Sequence, residues 1–343
     1  MTAPILVIDE LAMHFPGRRS LTDSIRRRPD SPVRAVDGVS FDLAPGEVLA
    51  LVGESGSGKT TTGNLLLGLL EPTGGQVLLN GERIAGFSRR ELTAARRRVQ
   101  MIFQDPYESL NPRQRVGDIV AEPLRIHRAT ASSEETRGRV HAALGLAGLN
   151  PPDAYEGRLP FELSGGQRQR VAIAAALILE PQVLVADEPV SMLDVSIRAE
   201  ILNLIRRLAT ERSIAVLMIT HDLATVFAYA DRVAVMYLGR IVESGPTSQV
   251  LADPQHPYTR ALLSVLPVAD PDARERASQI LVGETPDPSR IPSGCRFHPR
   301  CPVAVEACTT IDPALVTVGT DHEAACILVG SGPIATKGRA PKG

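Results

Sequence analysis

The segment Gly53-Glu54-Ser55-Gly56-Ser57-Gly58-Lys59-Thr60, followed by Thr61, has the order G-x-x-x-x-G-K-[ST]. Glycines allow successive backbone N–H groups to turn toward a phosphate at a helix start, where unpaired donors already favour an anion. In such a loop Lys59 reaches the β- and γ-phosphates and the Thr60 hydroxyl ligates Mg²⁺. The lysine also stands out in the composition. Of 37 basic residues only Lys59, Lys337 and Lys342 are lysine, and the rest are arginine. A compact ammonium that must touch phosphate is not replaced by a planar guanidinium.

Further along, Val183-Leu-Val-Ala-Asp187-Glu188 is an apolar run closed by two acids. Asp187 is placed to hold the Mg²⁺, and Glu188 to act as general base on, or to orient, an attacking water. The run Leu163-Ser164-Gly165-Gly166-Gln167-Arg-Gln-Arg170 offers a hydroxyl, a flexible backbone and a helix start, again suited to an anion.

All four cysteines, Cys295, Cys301, Cys308 and Cys326, lie near the C-terminus. Four thiolates suit a [4Fe–4S] cluster or Zn²⁺. The spacing lacks a C-x₂-C pair, which weighs against a zinc ribbon and leaves the iron–sulfur cluster as the leading expectation, with Zn²⁺ or no metal as alternatives. The neighbouring Arg296, His298 and Arg300 are expected to lower the thiol pKa values or to donate hydrogen bonds to sulfur. The segment reads as a staple with little apolar core of its own. The phosphate loop is expected to belong to a separate core, so that ATP binding does not depend on these cysteines.

The elements that must carry these residues are legible as short apolar strands near 4–8, 36–43, 47–52, 76–79, 99–103, 183–186 and 214–219. Helical stretches are expected near 165–179 and 195–212, and a β pair at Val233–Tyr237 and Arg240–Glu243. Strands alternating with helices indicate a parallel sheet covered on both faces. Residues 16–34 form an arginine- and proline-rich insert, and periodicity fades after about 255. The 343-residue chain has a net charge of −2, which gives no basic field for nucleic acid. The longest apolar run, Val171–Leu179, is far short of the ~20 residues needed to span a bilayer. Asp9 and Glu10, with no basic residue before Phe15, do not fit a secretory signal.

The motif at Leu163–Arg170, between the phosphate loop and Asp187, resembles the signature of ABC-type ATPases. The resemblance implies an ATPase whose signature contacts the γ-phosphate held by a second subunit. It implies further roles in order along the chain. Gln104 resembles the Q-loop glutamine that senses Mg²⁺ or water, and Ser191-Met-Leu-Asp194 the D-loop, with Met192 where many members have alanine. His221 resembles the switch histidine on the γ-phosphate, and Phe15 stands where an aromatic stacks on adenine. The insert, the run Gln104-Asp-Pro-Tyr-Glu-Ser-Leu-Asn-Pro112, His256-Pro-Tyr-Thr259 and Ser293-Gly-Cys-Arg-Phe-His-Pro-Arg-Cys301 resemble the ATPase subunits of di- and oligopeptide importers, more the F-type of the two.

The implied fold is α/β, a P-loop NTPase of ABC type. It has a mixed, largely parallel core sheet, an antiparallel N-terminal β part, a helical signature subdomain and a small cysteine-containing extension. The expected organisation is an ATPase domain over 1–255 with a helical subdomain at about 105–178, an extension over 256–330 and a tail over 331–343. The resemblance also implies a non-identical sister ATPase, two membrane permeases and, indirectly, an extracytoplasmic peptide-binding protein. The implied location is peripheral, on the cytoplasmic face of the membrane. Alternatives are import of another solute, such as a nickel complex, or a non-transport ABC ATPase.

Overall fold

Two β-sheets organise the residues described by the computed structural model, 3–16, 32–84, 89–264 and 286–329. Within the expected insert, residues 17–31 lie outside the described residues, as does the tail over 331–343. The smaller sheet is antiparallel, in the order β2 (Val33–Leu43), β1 (Leu6–Phe15), β4 (Gly74–Leu79), β5 (Glu82–Arg83). β1 runs well beyond the 4–8 read from the sequence. Asp9 and Glu10 interrupt its apolar pattern, Glu10 takes φ 48°, and the register with β2 shifts between Ile8 and Leu11. Such a bulge re-aims the second half of the strand.

The larger sheet holds the chemistry. Its parallel part is β9 (Arg232–Tyr237), β3 (Val48–Val52), β8 (Ala215–Thr220), β7 (Val183–Asp187) and β6 (Val99–Ile102). β3, β7 and β8 are buried along their whole length, which is why each reads as an uninterrupted apolar run. Their C-terminal ends open into the phosphate loop, the Asp187–Glu188 pair and His221, so one edge of one sheet delivers all three.

Helices Val116–Ile126, Ser133–Leu146, Gly165–Leu177 and Val195–Arg212 share one hydrophobic core with one face of this sheet. A second core lies between the two sheets and includes Leu6, Leu43, Leu51, Leu79 and Val185. No helix among the described residues is long and apolar enough to cross a membrane.

The C-terminal extension joins this architecture. β10 (Arg240–Pro246) pairs with β9, and β12 (His322–Ala324) continues the sheet on β10, with β11 (Val316–Gly319) outermost. Buried Glu243 of β10 accepts the N–H groups of Gln255 and His256 and contacts Nε2 of His322 at 2.8 Å. The boundary expected at 255/256 therefore falls between segments bonded to one carboxylate. The extension also has more apolar core than its sequence indicates. Phe297 is fully buried against Tyr237 and Tyr258, in a third core with Val52 and Val235.

Candidate functional site

The phosphate loop leaves β3 and enters the helix Lys59–Leu66. Two of its glycines are required by geometry. A Cβ on Gly53 would collide with the Met236 carbonyl oxygen, and one on Gly58 with that of Ala35, and both residues have positive φ. The helix has no side-chain cap, so its first N–H groups stay available to an anion.

Lys59 is buried, and its Nζ donates to the carbonyls of Gly53 at 2.7 Å and Glu54 at 2.9 Å. Burial pulls its pKa below the usual lysine value, against the opposing pull of Glu188, Asp187 and Glu54. The Ser57 hydroxyl is buried with no hydrogen-bond partner among the described residues.

β7 brings its terminal acids to this loop. Thr60 Oγ1 lies 3.4 Å from Asp187 Oδ1. Burial pushes the Asp187 pKa up and adjacent Glu188 adds to it, while the Thr60 hydroxyl and Lys59 oppose the rise. A hydroxyl and a carboxylate converging beside phosphate donors suit a hard cation such as Mg²⁺. Glu188 has left-handed backbone, φ 49°, in a residue with a Cβ, the kind of strain that collects at working sites. Its Oε1 lies 2.7 Å from His221 Nδ1. The acid is 13% exposed and the histidine 66%, so the pair stands at the mouth of the site.

Lys59, Thr60, Glu188 and His221 line one cleft of about 560 Å³, together with Gln104, and Asp187 lies beside Thr60. Ser55, Gly56, Gly58, Lys59, Thr60 and Thr61 of the loop face it. Val33, Ala35 and Pro288 also line it and had no distinguishing signal in the sequence. Phe15 does not line the cleft. It is half-buried and pairs in register with Val33, which does.

Ser164, Gly165, Gly166, Gln167 and Asp194 are likewise outside this cleft. Ser164 caps the helix Gly165–Leu177 in a reciprocal box. Its Oγ accepts from Gln167 N, and Gln167 Oε1 accepts from Ser164 N. Ser164 and Asp194 are exposed, and beside Asp194 so are the side chains of Met192 and Val195. Arg168 stacks on Tyr107, 4.2 Å from the ring centroid, and so ties the signature helix to the segment after Gln104.

The four cysteines are grouped. Cys295 and Cys301 each feel the charges of Cys308 and Cys326, and three sulfurs receive backbone N–H groups, from Phe297 and His298, Val303 and Leu328. Burial nevertheless pushes the Cys295, Cys301 and Cys326 thiols up, Cys301 to about 11. The expectation that neighbouring cations serve the sulfurs is corrected. Arg296 bonds the Leu238 carbonyl and the Asp37 carboxylate, Arg300 bonds Glu54, and His298 Nδ1 faces the Cys295 carbonyl. Each finds an acceptor stronger than a thiol.

The chain matches the family model described as ABC transporter over residues 36–191, and that described as oligopeptide/dipeptide transporter, C-terminal region, over 242–308. It is 49% identical over 324 residues to a putative peptide import ATP-binding protein of Brucella ovis, covering 94% of this chain and 98% of the relative. It is 46% identical over 328 residues to the oligopeptide transport ATP-binding protein OppF of Escherichia coli, covering 95% and 96%. Among solved structures, the dimeric ATP-binding cassette MJ0796, bound to ADP and Pi in a post-hydrolysis state, matches with a TM-score of 0.61 and 28% identity, over 71% of this chain and 98% of that one.

Proposed function

Because the chain belongs to the ATPase subunits of ABC-type oligopeptide and dipeptide importers, we propose that it powers peptide import by the following division of labour among its residues. The observation that carries the reading is the convergence of Lys59, Thr60, Gln104, Glu188 and His221 on one cleft, with Asp187 beside Thr60.

ATP enters with its phosphates on the loop N–H groups. Lys59 leaves the carbonyls of Gly53 and Glu54 for the β- and γ-phosphate oxygens, and the Ser57 hydroxyl gains an acceptor. Thr60 and Asp187 would hold Mg²⁺, which when bound would supply positive charge beside the phosphates. Glu188 takes the proton of the attacking water, oriented by its bond to His221, while Gln104 reads the cation and water at the cleft wall. ADP and phosphate leave.

Ser164–Gln167 and Asp194 lie outside this cleft, with Ser164 and Asp194 exposed, and serve the nucleotide of a sister ATPase, whose own motif completes this site. Two such sites close together and reopen after hydrolysis. Exposed Phe103, Tyr107, Ile126 and Phe161 support a membrane permease seat near Gln104. In this reading the chain sits peripherally on the cytoplasmic face.

Cys295, Cys301, Cys308 and Cys326 would hold a [4Fe–4S] cluster, with Zn²⁺ as the alternative: the four thiols lie near enough to feel one another's charges, and three of them receive backbone N–H groups. Bound there, the metal group would cross-link four points of the segment 295–326.

The test is reconstitution with the sister ATPase, both permeases and the peptide-binding protein in vesicles. Phosphate release should rise when peptide-loaded binding protein is added, and labelled peptide should accumulate only with ATP. Stimulation by a non-peptide solute, with none by peptides, would overturn the assignment.

A further inference from the structure

Residues 294–301 carry two arginines four positions apart, and they bind β2 and the phosphate loop, two segments whose neighbouring residues line the nucleotide cleft. Arg296 holds Asp37 of β2, whose other oxygen contacts His14, the neighbour of Phe15. Arg300 holds Glu54, the second residue of the phosphate loop. Arg300 Nη1 donates to Oε2 at 2.7 Å and Nη2 to Oε1 at 3.0 Å. This two-pronged pair is largely sheltered, with Arg300 7% and Glu54 24% exposed. The Tyr237 ring lies 6.0 Å from the guanidinium carbon. Tyr237, Tyr258 and Phe297 form one aromatic block behind it, with centroids 4.6 to 5.4 Å apart.

Every polar group of Glu54 is thereby engaged. Arg300 takes the carboxylate, Tyr258 Oη accepts the N–H at 2.9 Å, and Lys59 donates to the carbonyl at 2.9 Å. A loop with three glycines at positive φ has much freedom to lose when it wraps a phosphate. Holding its second residue from outside removes part of that loss before ATP arrives. A planar fork suits the task because it fixes direction as well as charge.

We propose that Arg300 is a positioning residue of the ATP site: through Glu54 it fixes the start of the phosphate loop, so that the four-cysteine segment is a working part of the nucleotide site. Its effect falls on ATP binding, since Arg300 touches neither the water-activating pair nor the Mg²⁺ residues.

The experiment measures MgATP dissociation constants, KM and kcat on the full-length chain in the assembled transporter, with metal content as a control. Arg300→Met should raise Kd and KM for ATP about tenfold, and Arg300→Lys by less, because it keeps the charge and loses the fork. Glu54→Gln, remote from the cysteines, should shift Kd in the same direction at unchanged metal content. Combining Glu54→Gln with Arg300→Met should be no worse than the more severe single change, as for two halves of one interaction. Unchanged Kd in Glu54→Gln overturns the proposal, and so does full multiplication of the two losses, or a loss confined to kcat. If Arg300→Met fails to fold or loses its metal, Glu54→Gln and Arg300→Lys decide by the same criteria.

Discussion

At the level of single residues, Glu188 and Lys59 face opposite demands. Glu188 must take a proton while its left-handed backbone and its bond to His221 hold it still. Glu188→Gln keeps the shape and removes the basicity, so nucleotide binding should persist while turnover falls at least about 10²-fold. Phosphate release measured beside nucleotide binding checks this, and turnover within tenfold of wild type would contradict the role. Lys59 must present a compact charge from a buried stem between two carbonyls. Lys59→Arg retains the charge but brings a broad, flat head into that space, and should lower ATP affinity or turnover by about tenfold or more. Wild-type kinetics in that variant would remove the explanation offered for the lone early lysine.

At the level of elements, the helix Pro257–Leu263 is capped by His256, whose Nδ1 accepts the Tyr258 N–H. Burial, aided by Arg260, pushes this imidazole down to about 3. The unfolded chain takes up the proton below the ordinary 6.5, whereas the folded chain refuses it until about 3. Between these values the unfolded state binds more protons, so stability declines as pH falls. His256→Asn keeps a capping acceptor and removes the titration. Wild type should therefore lose more urea resistance than the variant between about pH 7 and about pH 4.5, and parallel losses would count against it. The helix Gly165–Leu177 offers a second test. Ser164→Arg places a bulky cation at its exposed start, and should cut hydrolysis at the sister's phosphate loop at least about tenfold while sparing the site at Lys59. Nucleotide trapping in each half distinguishes them, and loss at Lys59 alone would reverse the arrangement. The helix Gly165–Leu177 and the strands β3, β7 and β8 were legible because burial on both faces, or a cap followed by apolar spacing, writes itself into local sequence, whereas the helix Pro257–Leu263 was not read. β11 and β12 were not. They are short, β11 is largely exposed, and only pairing of β12 with β10, and of β11 with β12, makes them strands. Arg296 and Arg300 were misread for a related reason, since their acceptors lie 259 and 246 positions away. No local pattern records such a partner.

At the level of the whole molecule, the cysteine segment and the phosphate loop form a continuous structure. The sequence placed them in separate cores, and the aromatic block with Arg300 joins them. Protein purified without oxygen should carry about four iron per chain if one cubane cluster occupies the cysteines. Cys301→Ser should lose most of that metal and expose residues 290–328 to protease. It should also weaken ATP binding, because the segment that loosens carries Arg300. Metal loss with undiminished ATP affinity would show that the segment holds its shape without the metal. The continuation of the main sheet through β10 into β12 has another consequence, for chains that end early. Glu243 and Ser244 of β10 are matched by Ala324 and Glu323, near the end of the described chain. A chain stopped before β12 would present β10 with one row of its backbone N–H and C=O groups open, a template on which other such chains can add. β12, the last strand among the described residues, thus covers β10 against other copies of the chain, and a product truncated before it would tend to precipitate instead of persisting as a smaller ATPase.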